Sequence, residues 1–292
     1  MLIFRPARKT DLRQLYEVFY QNEVLDHPSP PAPGETPSYL HHVLETGTLQ
    51  LAEQDGEVLA FAGAITRGGV SFLTDLFVRP AHQSAQLGQT LLHTVFPPDD
   101  LVHCTASSSD YRALALYIRA GMRPLWPLFA LQLEKLIQEM PSSDVEIVEA
   151  DPADTELVRW DAQIGGRLRS ADHQYWIREQ QAIPLWFRRH KQIVGYGYVR
   201  LKAGTVWHPH ACTLGPIGVT TPADAINCVL ALVNLALEHA HVVTIEVPGP
   251  HPCLATLLES GFRIQYVDTF VSTTTSPFFD GQCYIPSGGD LL

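Results

Sequence analysis

The sequence predicts an α/β protein made of two halves on one plan, and three observations carry that reading. Residues Asp75 to Phe96, DLFVRPAHQSAQLGQTLLHTVF, read as a strand, a short polar loop and a helix that starts near Gly88. Residues Ala106 to Leu125, ASSSDYRALALYIRAGMRPL, lead from a strand into a helix closed by Gly121, placed where a left-handed C-cap is wanted. Gly121-Met122 then returns as Gly261-Phe262, an offset of 140 residues, after a matching run of elements. That spacing marks a tandem duplication, not a short-period solenoid.

The elements follow in order. LIFRPAR is a strand, and Thr10 caps a helix with Leu12, Leu15, Tyr16 and Phe19 on one stripe. The second half opens the same way with VEIVEADPADTELVRWDAQI. There Asp151 is the expected N-cap, Pro152 takes the first helical position, and Leu157, Trp160 and Ile164 keep helical spacing. LQLAEQDGEVLAFAGAI and PLWFRRHKQIVGYGYVRL are hairpins turning at Gln54–Gly56 and His190–Gln192. Each half then offers a strand–loop–helix, a buried strand (LVHCTAS, HVVTIEVP) and a last helix. Gly215-Pro216 reads as strand punctuation or a bulge. The linker EMPSSD, Glu139 to Asp144, sets the halves at 1–140 and 144–292.

Composition narrows the classes. At 292 residues, with 46% apolar and 17% charged, the chain builds globular cores. No apolar run approaches the roughly 18–20 residues of a membrane span, and MLIFRPARKTDL is too polar for a signal peptide. Cys104, Cys212, Cys228, Cys253 and Cys283 lack C-x-x-C spacing, which fits reduced thiols in a cytoplasmic protein. A net charge of −11 argues against nucleic acid and anionic membranes as partners. None of the 13 histidines sits in a zinc pattern, so no metal is expected.

A strand feeding a helix through a short loop aims several backbone N–H groups, and the positive end of the helix dipole, at one place. The loop here lacks the glycines of a P-loop or a dinucleotide fingerprint. It resembles instead the acyl-CoA pyrophosphate loop of the GNAT acyltransferase superfamily. The match is carried by Val78, Pro80, Gln83, Gln86, Gly88, Leu91 and Leu92. The family's second pattern, N-x-x-A-x-x-x-Y-x-x-x-G-F, is met by Asp110, Ala113, Tyr117, Gly121 and Met122. One position departs: the family's first loop glycine is Gln86, which brings a side chain to where phosphates would lie.

The resemblance implies two tandem GNAT-like domains, each a mixed, mostly antiparallel twisted sheet flanked by helices. It also implies an N-acyltransferase that moves an acetyl group from acetyl-CoA to a primary amine of a small molecule or peptide. Cofactor contacts then fall on Phe77, Val78, Gln83, Ser84, Ala85, Gln86, Leu87, Gly88, Gln89, Asp110 and Tyr117. A backbone N–H near Phe77 and Val78 would polarise the thioester carbonyl, and Tyr117 would be the acid facing the sulfur. Read as an ordinary residue, Tyr117 is a core tyrosine and Asp110 an N-cap. Asp75, unusual in an apolar strand, either acts as a base or amine holder, or caps a backbone N–H. The proline-rich segment Asp26–Pro37 is the expected acceptor loop.

The second half lacks this chemistry: Thr220-Thr221-Pro222 replaces the loop, and Leu257 stands where Tyr117 does. It is expected to hold no acetyl-CoA. Two rival readings remain: a non-catalytic acyl-CoA-binding or sensing protein, or acceptor chemistry housed in the second half.

Overall fold

The computed structural model describes all residues except 26, 84–85, 97–100, 139–140, 142 and 290. The chain forms two compact units, residues 1–105 with Leu291, and residues 106–290 with Leu292. The division falls inside strand β5 (Val102–Ser107).

In the first unit, β1 (Leu2–Pro6), β2 (Thr48–Gln54), β3 (Glu57–Arg67) and β4 (Val70–Val78) form an antiparallel sheet. β4 is joined in parallel to β5. The β2–β3 turn places Asp55 and Gly56 at φ 53° and 86°, the two positive values of a type I′ hairpin. Helices α1 (Leu12–Glu23), α2 (Ser38–Thr46) and α3 (Leu87–Val95) pack on β3 and its neighbours. Leu15 and Val18 of α1, Leu91 and Leu92 of α3, and Leu51, Phe61 and Phe72 of the strands are all buried. Thr10 does not cap α1: it lies in a 3-10 turn, and Asp11 is the N-cap. The Asp11 carboxylate accepts from the Arg8 N–H at 2.7 Å and binds Arg5, which fixes the entry to the helix.

The second unit contains α4 (Tyr111–Arg119), β6 (Arg123–Leu133), β7 (Glu146–Glu149), α5 (Thr155–Ile164), α6 (Ser170–Glu179), β8 (Ala182–Arg189) and β9 (Gln192–Arg200). β10 (Cys212–Val219), α7 (Pro222–His239), β11 (Val243–Pro248), α8 (Leu254–Ser260), β12 (Arg263–Ser272) and β13 (Tyr284–Ile285) follow. Its strands run β12-β6-β11-β10-β9-β8-β7. β6, by the repeat the closing strand of the first copy, lies between β11 and β12, antiparallel to both. Residues 106–138 therefore pack with the second unit, although the repeat counts them in the first half. Helix α7 buries Cys228, Val229, Leu232, Val233 and Ala236 on this sheet.

The helix expected from Asp151 begins later. Asp154 is the N-cap of α5, accepting from the Glu156 N–H at 2.9 Å, while Asp151 caps the preceding turn. Pro152 is thus a turn residue. Gly215-Pro216 does sit at a bulge, where the β9–β10 register shifts. Ser143 and Asp144 of the expected linker are pinned to Asn227 and Arg189; residues 139, 140 and 142 lie outside the described set.

Candidate active site

The site expected from the sequence begins where β4 leaves β5. The parallel ladder covers only Val70–Phe72 with Val102–Cys104, and the Thr105 hydroxyl donates to the Leu73 carbonyl at 2.9 Å. β4 runs on to Val78 beyond that ladder. At Thr74 it bulges, since Ala64 pairs with Leu73 and the neighbouring Gly63 with Asp75. The bulge re-aims the side chains that follow it.

Asp75 is buried. Its Oδ1 accepts from the Tyr39 hydroxyl at 2.7 Å and its Oδ2 from the Thr74 hydroxyl at 2.7 Å. Gly63 makes this possible, because a methyl there would lie 2.5 Å from Thr74 Oγ1 and 3.1 Å from an Asp75 oxygen. Phe77 is half-buried and meets Phe19 of α1 edge-on at 5.3 Å. Tyr39 was not singled out from the sequence. Its place in SYLHHVLET, just after Pro37, puts it in the first turn of a helix but does not say which strand it reaches.

After Val78 the chain is anchored by Arg79, whose Nε donates to the Val58 carbonyl at 2.6 Å and Nη1 to Gln21 at 2.9 Å. Gln83 is half-buried, and its amide donates to Asn22 of α1 at 3.1 Å, so its side chain positions the loop. Ser84 and Ala85 lie outside the described residues. Gln86 is exposed and caps α3 with φ 62° and ψ 5°, the left-handed conformation that glycine adopts without cost. The glycine of the expected pattern is missing, yet the backbone shape it would supply is present. Leu87 anchors the helix in the core, while Gly88 and Gln89 complete an exposed-to-half-buried first turn.

The remaining site residues belong to the second unit. Asp110 is the N-cap of α4, accepting from the Arg112 N–H at 2.8 Å. The Arg112 side chain beside it holds its carboxyl below the usual range. Tyr117 is buried on α4. Gly121, at φ 95°, is the left-handed residue just past that helix.

The model of the acetyltransferase (GNAT) family matches residues 10–122, which include both motif blocks. Residues 10–122 thus match a GNAT domain. An acetyltransferase candidate from Pyrococcus horikoshii superposes on 97% of this chain and 92% of its own, with a TM-score of 0.73 at 17% identity. A GCN5-related N-acetyltransferase from Sphaerobacter thermophilus covers 96% and 97%, with a TM-score of 0.64 at 15% identity. A tandem GNAT protein from the clavulanic acid biosynthesis pathway covers 95% and 99%, with a TM-score of 0.62 at 15% identity. At such identities the likeness is one of fold, and it extends the tandem GNAT architecture over both halves. No curated protein matches the sequence.

The GNAT-like second unit differs at the corresponding places. β10 and β11 are parallel over Cys212–Leu214 and Val243–Ile245 only. Past that point β9 still holds one edge of β10, so β13, paired at Ile217 and Gly218, must hold the other. The chain thereby fills its own strand gap. Gly215, at φ 122°, allows the approach, since a methyl there would meet the Pro286 carbonyl oxygen at 2.4 Å. At the start of α7, Thr221 donates to the Asp224 carboxylate at 2.8 Å, and Asp224 also pairs with Arg189 at 2.9 Å. That helix N-terminus already holds an anion from its own chain. Leu257, at the place of Tyr117, is a core residue.

A buried polar cluster in the second unit was not legible in the sequence. Asp161 receives Arg169 at 2.7 Å, His173 at 3.0 Å and the Tyr196 hydroxyl at 2.5 Å, all buried. Burial alone would raise the Asp161 carboxyl, but the Arg169 charge and hydrogen bonds hold it far below its ordinary value. Burial pushes the Tyr284 phenol, which also faces Arg169, up to about 12. His251 and Cys253 lie within 2.9 Å, but burial lowers the imidazole to about 4 and raises the thiol, so both stay neutral. Both clusters lie in the buried interior of the second unit. Among the described residues no group of three His, Cys, Asp or Glu could hold a metal, and no helix is long and apolar enough to cross a membrane.

Proposed function

We propose that this GNAT protein is an acetyl-CoA-dependent N-acetyltransferase acting on a primary amine of a small molecule or peptide. One observation carries the reading: within a GNAT domain, β4 opens into a loop whose left-handed Gln86 starts α3, so the first-turn N–H groups form an anion site. The loop fits the pyrophosphate of CoA, because Gln86 is exposed and its backbone already has the shape the glycine would give. Gln83–Gln89 would hold the cofactor, with Asp110 at the start of α4, and acetyl-CoA would supply the activated acyl group as co-substrate.

Transfer has three requirements. A backbone N–H near Phe77 and Val78 polarises the carbonyl. The ammonium acceptor gives up a proton towards Asp75, directly or through water, and the freed amine forms the new C–N bond. The C–S bond breaks, Tyr117 supplies the proton that leaves CoA as a thiol, and the second proton shed by the nitrogen as it becomes an amide restores the tyrosine.

Acetyl-CoA turnover by the full chain with a panel of primary amines, followed as thiol release, tests this. Amine-dependent release supports it. Binding of CoA with no turnover on any amine returns the protein to the sensing class.

A second reading, acceptor binding in the second unit, has one observation in its favour. A groove of about 840 Å³ is lined by Trp126, Trp160, Thr220, Phe278, Phe279 and Asp280. If it takes the acceptor, Trp160→Ala raises the KM for the amine and leaves that for acetyl-CoA unchanged.

A further inference from the structure

We infer that Tyr39, in the first turn of α2, is a positioning residue for the acceptor amine, holding Asp75 in the orientation that receives it. The inference rests on the acyl-transfer reading above. Asp75 follows directly on the β4 bulge, and its two oxygens are taken by hydroxyls from different elements. Thr74 belongs to the strand itself. Tyr39 comes from a helix that packs on β2 and β3, and its hydroxyl reaches past them to β4. The two hydroxyls, one on each oxygen, fix the orientation of the carboxylate. The primary ammonium group, with three N–H donors, suits a fork so held.

The opposite strand is cut to this arrangement. β3 carries Gly63 at the register position of Asp75, and any larger residue would displace Thr74 and the carboxylate together. Tyr39 also stands two residues after Pro37, the end of the proline-rich segment. That segment is tied to α1, where the Tyr20 hydroxyl donates to the Pro31 carbonyl at 2.7 Å and Arg13 to the Gly34 carbonyl at 2.8 Å. The expected acceptor loop is thus followed directly by the residue that orients Asp75. Substrate contact with the loop and the aim of the carboxylate are linked through the first turn of α2.

The test uses the full chain and the amine that turns over best with acetyl-CoA. Tyr39→Phe keeps the ring and removes the hydroxyl, and should raise the amine KM by about tenfold, the usual effect of one hydrogen bond to a charged group. The KM for acetyl-CoA should not move, and unfolding should stay cooperative, with the variant fully folded at the assay temperature. Asp75→Asn should act in the same direction. The double variant should be no worse than Asp75→Asn if, as inferred, Tyr39 acts on the amine through that carboxylate. Gly63→Ala, which crowds Asp75 from the other side, should also raise the amine KM. Unchanged amine KM in Tyr39→Phe, or fully additive losses in the double variant, would overturn the inference while the acyl-transfer reading stands. A wild-type chain that transfers no acetyl group to any amine overturns both.

Discussion

Gln86 is the position where the sequence departs from the family pattern, and replacing it by glycine measures what that departure does. Its φ of 62° places an L-residue in the left-handed region, at a disadvantage of roughly 1–2 kcal/mol. Glycine removes that strain but frees the unfolded chain, at roughly 0.5–1 kcal/mol. The difference leaves Gln86→Gly more stable by about 0.5–1 kcal/mol, or about 2–5 °C in melting temperature for a unit of this size. The carbonyl of Gln86 accepts from the Thr90 N–H at 3.1 Å and the Thr90 hydroxyl at 3.2 Å, and both bonds survive the change. Gln86→Ala is the decisive control. It removes the same side-chain bulk but keeps a Cβ at positive φ, so it should gain nothing in stability. Thermal unfolding and calorimetric titration with CoA read both effects. We expect glycine to raise the melting temperature above the alanine variant and to bind CoA at least as tightly as wild type. If glycine and alanine behave alike, the left-handed backbone is not what Gln86 contributes. If glycine abolishes CoA binding, the glutamine side chain is itself a ligand and the account of the loop is wrong.

Three further outcomes follow from the same geometry. Tyr117→Phe should lower turnover about 10²–10⁴-fold with CoA affinity kept; unchanged turnover would return Tyr117 to the core aromatics. Calorimetry should give one CoA per chain, since β13 fills the strand gap of the second unit and Asp224 occupies the start of α7; two equivalents would contradict both. Burial lowers His251 from 6.5 to about 4, so the folded state binds its proton less readily than the unfolded chain. Its contribution is fully present above pH 6.5 and is lost as pH falls towards 4, by an amount on the order of 3 kcal/mol. Urea midpoints across that range should fall with pH, and His251→Asn should flatten the slope; an equal slope in the variant would remove His251 as the cause.

The sequence by itself determined what near neighbours decide. Asp55-Gly56 makes a tight hairpin, Gly121 ends α4 through a positive φ, and Val78 to Leu92 leads a strand through a loop into a helix. Each depends on side chains a few residues apart, so each is legible as a spacing. The sequence places the cap of α1 and the start of α5 one to three residues too early, because Thr10 and Asp151 have a competing acid, Asp11 and Asp154, a short step downstream. Tertiary structure alone decided the rest. Tyr39 and Asp75 are 36 residues apart, and nothing in either neighbourhood announces the other. The same holds for β6, which the repeat assigns to one half and hydrogen bonding assigns between β11 and β12. It holds again for Tyr284-Ile285 filling the edge of β10. A strand's alternation says which face it buries but not which edge it joins. Backbone N–H and C=O groups are the same in every residue, and only the packed fold selects their partners.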